Sequence, residues 1–362
     1  MTSNGPILVV EDDPWTRLIG VVLDPATSGE RCAAFADFMS PDEPNFVGWC
    51  DALRARAGAL NPSDVRLVPS QAELRNNLAA ARALVVESFP VGPQELRCAP
   101  KLKVVHKYGA VLRNIDVAAC AAAGVKVLGV RRRANIACAE HALALMLALA
   151  RRIHRINGLT SIERLAGAKR PFKPFDRRHV PGANWARISA TRSLHGSTLG
   201  IIGLGEIGRE IAARAAAFEM NVLYFQRTRL PDAEEAALHA AYRPLDTLLA
   251  QSDWVVPQLP GSPSTRHLID GPRLALMKRG ACLINVARAD VVEREAVIAA
   301  LRSGHLGGFA LDPLYEEPGR ADDELLSFDN VILTPHMAGS PRTNGLADIA
   351  ELITGLAAAL AE

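Results

Sequence analysis

The sequence predicts two α/β layers in series, the second of them a doubly wound dinucleotide domain. Three observations carry that reading. Short apolar strands alternate with helical stretches along the chain, a pattern that argues for parallel sheets covered by helices. A glycine-rich turn sits between one such strand and a helix, within TLGIIGLGEIGREIA at 198–212. Six strands can be counted from there to the end, the number a doubly wound dinucleotide domain needs. At 362 residues the chain is long enough for two domains.

Composition narrows the class. The chain is 49% hydrophobic and 22% charged, an ordinary folded balance that excludes disorder and fibrous repeats. The net charge is +2, so no electrostatic footprint for nucleic acid is expected. Cys32, Cys50, Cys98, Cys120, Cys138 and Cys282 are scattered with no CxxC spacing. That excludes a disulfide framework and a zinc site, and no metal is expected. The opening MTSNGPILVVEDD has no basic n-region and no long apolar core, so no signal peptide is read there and a cytoplasmic protein is expected.

The elements follow in order. Residues 6–10 form an apolar strand that ends in Glu11-Asp12-Asp13. This acidic end imitates a phosphoacceptor receiver, which also needs an Asp closing a third strand. Asp51, at about the right distance, lies in a helical stretch, so that reading is set aside. Residues 30–62 read as an added helical element, with Phe46 and Trp49 assigned to the core. Strands at 83–86, 102–106 and 125–130 alternate with helical stretches at 71–81 and 116–123. The helix at about 135–153 is apolar nearly all round and reads as buried. Its most apolar run, 136–150, is shorter than a ~20-residue span and carries Glu140 and His141, so no membrane partner is expected. Residues 167–185, rich in Pro and Arg, read as a long surface loop. The second series then has strands at 199–202, 221–225, 254–256, 281–285, 308–311 and 331–333.

In the turn, Gly203, Gly205 and Gly208 stand in G-x-G-x-x-G, with Glu206 and Ile207 between the last two. The first glycine allows the tight turn and the second lets backbone approach a pyrophosphate. The third lets the helix pack on the strand, and the helix N-terminus favours the anion. The next strand ends Gln226-Arg227-Thr228-Arg229. A carboxylate there would bond the adenosine ribose of NAD. A neutral side chain followed by two guanidiniums favours NADP(H) over NAD(H).

Three more strands run out to chemically useful residues: INVAR to Arg288, GFALD to Asp312 and then Glu317, and VILTPH to His336. Ligands of open α/β sheets bind at such strand ends. A guanidinium can hold a carboxylate in a bidentate pair. A histidine can exchange the proton of a carbinol oxygen, and a nearby acid favours its imidazolium.

With TLGIIGLGEIGREIA, SDWVVPQLPGSPSTRHLI, INVARADVV, GGFALDPLYEEP and LTPHMAG in place, the sequence resembles the D-isomer-specific 2-hydroxyacid dehydrogenases, from about Ala83 to the end. The resemblance implies two doubly wound parallel-sheet domains, Rossmann-like and flavodoxin-like, with a cleft between them. The catalytic domain would be residues 1–132 plus 338–362, and the dinucleotide domain 133–337. It implies an oxidoreductase moving a hydride between NAD(P)H and a 2-oxo acid or D-2-hydroxy acid. Arg288 would bind and polarise the substrate, and His336 with Glu317 would be the acid/base pair. Asp312 would sit beside the nicotinamide, with Pro260 and Ala287 among the cofactor contacts. The loop Lys107-Tyr108-Gly109-Ala110 would receive the substrate carboxylate. A homodimer is expected, and no C-terminal regulatory domain.

Several positions depart from the family pattern: Ala110, Leu112, Arg113, Arg131–Arg133, Pro257 and Ala289. They leave the particular 2-oxo acid open, and Lys107, Arg113 or the triple Arg could hold a second anionic group. Two alternatives share the fold. One is a nicotinamide-sensing, corepressor-like binding protein, which keeps the same groups. The other is a phosphite- or formate-type dehydrogenase, although formate enzymes carry Gln in place of Glu317.

Overall fold

The computed structural model describes residues 5–362. Residues 1–4, the start of the segment read for a leader, lie outside it. The chain divides into two units, one running up to Ala137 and resuming at Gly339–Glu362, the other Cys138–Ala338. The sequence reading placed the junctions at 132/133 and 337/338. The first junction falls inside a continuous helix, Arg133–Arg151.

The first unit holds five parallel strands: β1 (Ile7–Glu11), β2 (Asp64–Val68), β3 (Ala81–Val86), β4 (Val104–Lys107) and β5 (Lys126–Gly129). Their order is β2-β1-β3-β4-β5, the flavodoxin-type winding. Strand β2 is absent from the sequence reading. Its DVRLV carries charges at Asp64 and Arg66 and it pairs only with β1, so as an edge strand it has no apolar run to reveal it. The added element forms helices Gly29–Met39 and Phe46–Arg56. Phe46 is buried, stacked 6.5 Å from Phe35 and 5.8 Å from Trp49. Asp51 faces out of the second helix, paired with Arg54.

The C-terminal helix Thr343–Ala361 returns to this unit because Leu346, Ile349, Leu352, Ile353 and Leu356 recur at helical spacing and join Leu8, Val10 and Ala83 in one core. Burying each such side chain is worth about 2 kcal/mol. Asp348 of that helix is fully buried and accepts from the Arg133 N–H at 2.9 Å and its guanidinium at 3.0 Å.

The second unit holds seven parallel strands: β6 (Thr198–Ile202), β7 (Asn221–Phe225), β8 (Ala240–Tyr242), β9 (Trp254–Pro257), β10 (Cys282–Asn285), β11 (Gly308–Leu311) and β12 (Val331–Leu333). Their order is β12-β11-β10-β9-β6-β7-β8. Six were read from the sequence. The seventh, β8, is a three-residue edge strand too short to show a period. Alternate residues feed two cores. Leu199, Ile201, Val256 and Ile284 pack on one side with Ala142, Met146 and Leu149 of helix Arg133–Arg151. Ile202, Val255, Leu283 and Phe309 pack on the other. Helices Arg133–Arg151 and Thr343–Ala361, each 19 residues, are long and apolar enough to cross a membrane by length and composition, and each buries its apolar stripe in a core. Residues 168–197 carry turns and bends only. They are held locally by Arg187 over the Phe175 ring at 3.8 Å and by Phe172 against Trp185 at 6.0 Å.

Candidate active site

All strands of the second sheet are parallel, so β6, β10, β11 and β12 deliver their following residues to one edge. Strands β6 and β9 are neighbours, and the winding reverses between them, where doubly wound sheets bind ligands. The glycine turn lies there. Gly203 has φ +99°, and an added Cβ would lie 2.4 Å from the Gln258 carbonyl oxygen. At Gly208 a Cβ would lie 2.3 Å from the Gly203 carbonyl oxygen. At Gly205 nothing stands within 4 Å. Two glycines are therefore needed for packing and the third opens onto free space. Gly205 also caps helix Glu206–Ala217, whose first-turn N–H groups form an anion site. Glu206 is partly exposed and Ile207 packs against the core. The cradle fits a dinucleotide pyrophosphate.

After β7, Gln226 folds back, its Nε2 donating to the Thr228 carbonyl at 2.7 Å. Arg229 is not free for a phosphate. Its guanidinium donates to both oxygens of Glu235 at 2.8 Å and to Asp232 at 3.1 Å. The Tyr224 hydroxyl donates to Glu235 as well, at 2.6 Å. The Arg229 guanidinium, helped by Tyr224, holds the Glu235 carboxyl down to about 2. Of the two guanidiniums expected, only Arg227 is exposed without an ion pair among the described residues. The Pro260 carbonyl accepts the Thr265 hydroxyl at 2.7 Å. Ala287 is nearly buried, and its N–H donates to Asn285 at 3.0 Å.

Asn285, absent from the sequence reading, organises the turn that presents Arg288. It is fully buried and donates from Nδ2 to the Arg288 carbonyl at 2.8 Å. Arg288 is exposed, its stem lying over Gly261, where an added Cβ would meet Cγ at 3.4 Å. His336 and Glu317 are each about half exposed, and His336 Nδ1 lies 3.0 Å from both carboxylate oxygens. Glu317 also accepts the Leu314 N–H at 2.9 Å. The bond from His336 holds its carboxyl below the usual range. His336 has φ +51°, a conformation a side-chain-bearing residue keeps only where its surroundings fix it.

Those surroundings are Asp312, whose side chain is fully buried. Its carboxylate accepts the Thr334 hydroxyl at 2.6 Å and the N–H groups of Met337 at 2.9 Å and Ala338 at 2.8 Å. Its carbonyl accepts the His336 N–H at 3.0 Å. Burial pushes the Asp312 carboxyl up. His141, Thr334 and the two N–H groups outweigh that and hold it at about 2. The acid expected beside a nicotinamide is thus bound into the turn that carries His336.

In the first unit, the loop after β4 presents backbone more than side chains. Lys107 is buried with its ammonium on the Glu87 carbonyl. Tyr108 is 1% exposed beneath the Arg132 guanidinium, 4.2 Å from the ring centroid. The Gly109 carbonyl accepts Val130 N–H at 2.9 Å, and Ala110 is exposed. Arg133 is held by Asp348 and Glu351. Two of the three clustered arginines therefore support the fold, and Arg113 stays exposed. At the β1–β3 switch point the Glu11 carboxylate accepts the N–H groups of Glu87 at 2.7 Å, Ser88 at 2.8 Å and Phe89 at 2.9 Å. It fills that crevice itself.

Residues 143–338 match the family model "D-isomer specific 2-hydroxyacid dehydrogenase, NAD binding domain". The chain is 36% identical over 291 residues to a glyoxylate reductase of Pyrococcus horikoshii, covering 80% of this chain and 82% of that one. It is also 36% identical over 280 residues to an (S)-sulfolactate dehydrogenase of Chromohalobacter salexigens, covering 76% and 84%. Among solved structures, the PH0520 protein from Pyrococcus horikoshii OT3 superposes with a TM-score of 0.58 at 25% identity, covering 97% of this chain and 91% of that one. With a dinucleotide cradle and a His–Glu pair on one sheet edge, the chain belongs to the D-isomer specific 2-hydroxyacid dehydrogenase family and is an oxidoreductase that moves a hydride between NAD(P)H and 2-oxo or 2-hydroxy acids.

Proposed function

We propose that the chain reduces a small 2-oxo acid, glyoxylate first among the candidates, with His336 as proton donor, Glu317 as its partner and Arg288 as substrate anchor. The His336–Glu317 pair at 3.0 Å carries this reading. Glu317 takes the Nδ1 side of the ring, so Nε2 is the nitrogen left to deliver a proton. Gly203, Gly205 and Gly208 would hold the pyrophosphate of a reduced nicotinamide dinucleotide, which would supply the hydride. His336 gives its proton to the carbonyl oxygen as that oxygen gains negative charge, and Glu317 supports the imidazolium before transfer. The exposed Arg288 guanidinium offers paired N–H groups to the substrate carboxylate or its 2-oxo group. The glyoxylate reductase relatives favour a small substrate.

The test is NAD(P)H oxidation with glyoxylate, hydroxypyruvate, pyruvate and phenylpyruvate. His336→Ala should lower kcat by about 10²–10⁴. Turnover near wild type in that variant overturns the acid/base assignment, and inactivity on every 2-oxo acid overturns the substrate class.

The preference for NADP(H) over NAD(H) rests on the missing carboxylate after β7 and on exposed Arg227 alone. Arg227→Ala should raise KM for NADPH and leave KM for NADH unchanged. A wild-type preference for NADH rejects the proposal. A homodimer is also proposed. Eleven Lys and Arg against two acids fall between Arg151 and Arg192, leaving the rest of the chain at −7. Ile153, Ile162, Phe172 and Val180 are exposed in the same segment. A basic, apolar-studded arm fits the acidic body of a second copy. Sedimentation at a monomer mass would reject it.

A further inference from the structure

We infer that His141 is a positioning residue for the proton donor. Through Thr334 and Asp312 it holds the turn 334–338 in the conformation that brings His336 to Glu317. The inference rests on the reading of His336 as the acid–base group.

Donor accounting leads there. Thr334 Oγ1 lies 2.6 Å from Asp312 Oδ1 and 3.1 Å from His141 Nε2. A hydroxyl has one proton to give. The Asp312 carboxylate only accepts, so the Thr334 proton goes to it. The Thr334 oxygen must then accept from His141, which fixes that ring with its hydrogen on Nε2. The same nitrogen lies 3.5 Å from Asp312 Oδ1. His141 therefore orients the hydroxyl and adds positive potential at a buried acid.

The turn depends on that acid almost residue by residue. Thr334 binds it by side chain, His336 binds its carbonyl, and Met337 and Ala338 bind its carboxylate. Pro335 has no N–H to give. His336 sits at φ +51° in the middle, a position that relaxes unless several bonds fix it together. His141 stands on the 19-residue helix Arg133–Arg151, next to buried Ala139, Ala142 and Leu143. The far end of the relay is thus anchored on a rigid element, as a well-held site requires.

The bland account is a partly buried histidine with a satisfied hydrogen bond and no bearing on the reaction. Four variants separate the two: His141→Leu, His141→Gln, Thr334→Val and the double variant His141→Leu/Thr334→Val. In the Gln variant the side-chain amide can donate from near the Nε2 position. For each, kcat, KM, cofactor dissociation constant, melting temperature and the solvent deuterium isotope effect on kcat are measured.

A displaced proton donor should cost about tenfold to a hundredfold in kcat in His141→Leu. It should also raise the solvent isotope effect, because proton delivery becomes the slower step, and leave cofactor affinity unchanged. His141→Gln should recover most of the loss. The double variant should be no worse than the poorer single, because both cut one relay. Wild-type kcat and isotope effect in His141→Leu overturn the inference. So does a loss that falls wholly on cofactor affinity, or a folded His141→Gln no better than His141→Leu. His336→Asn, assayed alongside, keeps the two readings apart. Normal turnover there defeats the acid–base assignment itself, whereas an inactive His336→Asn beside a normal His141→Leu defeats only the relay.

Discussion

Asp312→Asn isolates the acid that carries the His336 turn. The amide keeps one oxygen. If that oxygen stays with Thr334 and Met337, an NH2 group faces the Ala338 N–H, which now donates to Asp312 at 2.8 Å. One charge-assisted bond is lost and a buried donor is left unsatisfied, while the cost of burying a charge disappears. The net loss is about 2–4 kcal/mol. For a unit of 150–250 residues each kcal/mol moves the melting temperature by about 2–4 °C, so a fall of roughly 5–15 °C is expected for the second unit. The assay is differential scanning calorimetry without cofactor, with Asp322→Asn as control. Asp322 is an exposed acid paired with Arg320 at 2.9 Å, and its loss should leave the transition where it was. An Asp312→Asn protein that melts with wild type but binds cofactor weakly would refute the reasoning, since the carboxylate would then serve the ligand rather than the turn.

Three further outcomes are expected. Gly203→Ala forces a Cβ to 2.4 Å from a backbone oxygen at φ +99°. It should abolish cofactor binding, followed by nicotinamide fluorescence, and lower stability by about 1–3 kcal/mol. Acid should erode the second unit in a definite window. The Asp312 carboxyl is held at about 2 when folded and returns to about 3.9 when unfolded. Its contribution, about 2–3 kcal/mol, is therefore complete above about pH 4 and is lost as pH falls through about 2; urea titrations at pH 5 and pH 3 should show a larger drop in wild type than in Asp312→Asn, where Glu235 and the other lowered acids still titrate. Glu317→Gln keeps an acceptor for the His336 ring but removes the charge that favours an imidazolium, so kcat should fall by about tenfold or more. Unchanged kcat would mean that the pair only orients the ring.

What the sequence disclosed and what it hid follow from how local each determinant is. Gly208 was legible because the backbone it must approach, the Gly203 carbonyl, is only five residues away, and Gly203 because its left-handed turn is a local demand even though the Gln258 carbonyl also presses on it. That Arg288, Glu317 and His336 reach one sheet edge was legible because parallel strands carry whatever follows them to one side. Edge strands β2 and β8 were not, because β2 carries Asp64 and Arg66 within five residues and β8 is only three residues long. Arg229 looked free because counting charges on its own turn cannot show that Glu235, six residues on, folds back to hold it. Lys107 and Tyr108 looked like ligand groups because a motif records identity, whereas their burial depends on Glu87 and Arg132 from other loops of the unit.

Asp312 shows the same limit at the centre of the site. An acid at a strand end is equally suited to face a ligand or its own loop. The choice is made by donors at 334, 337 and 338 and by His141 on a distant helix. Once those donors are in place the carboxylate has no oxygen left without one. The charge that looked like part of the chemistry then acts one step behind it, by fixing where the histidine stands.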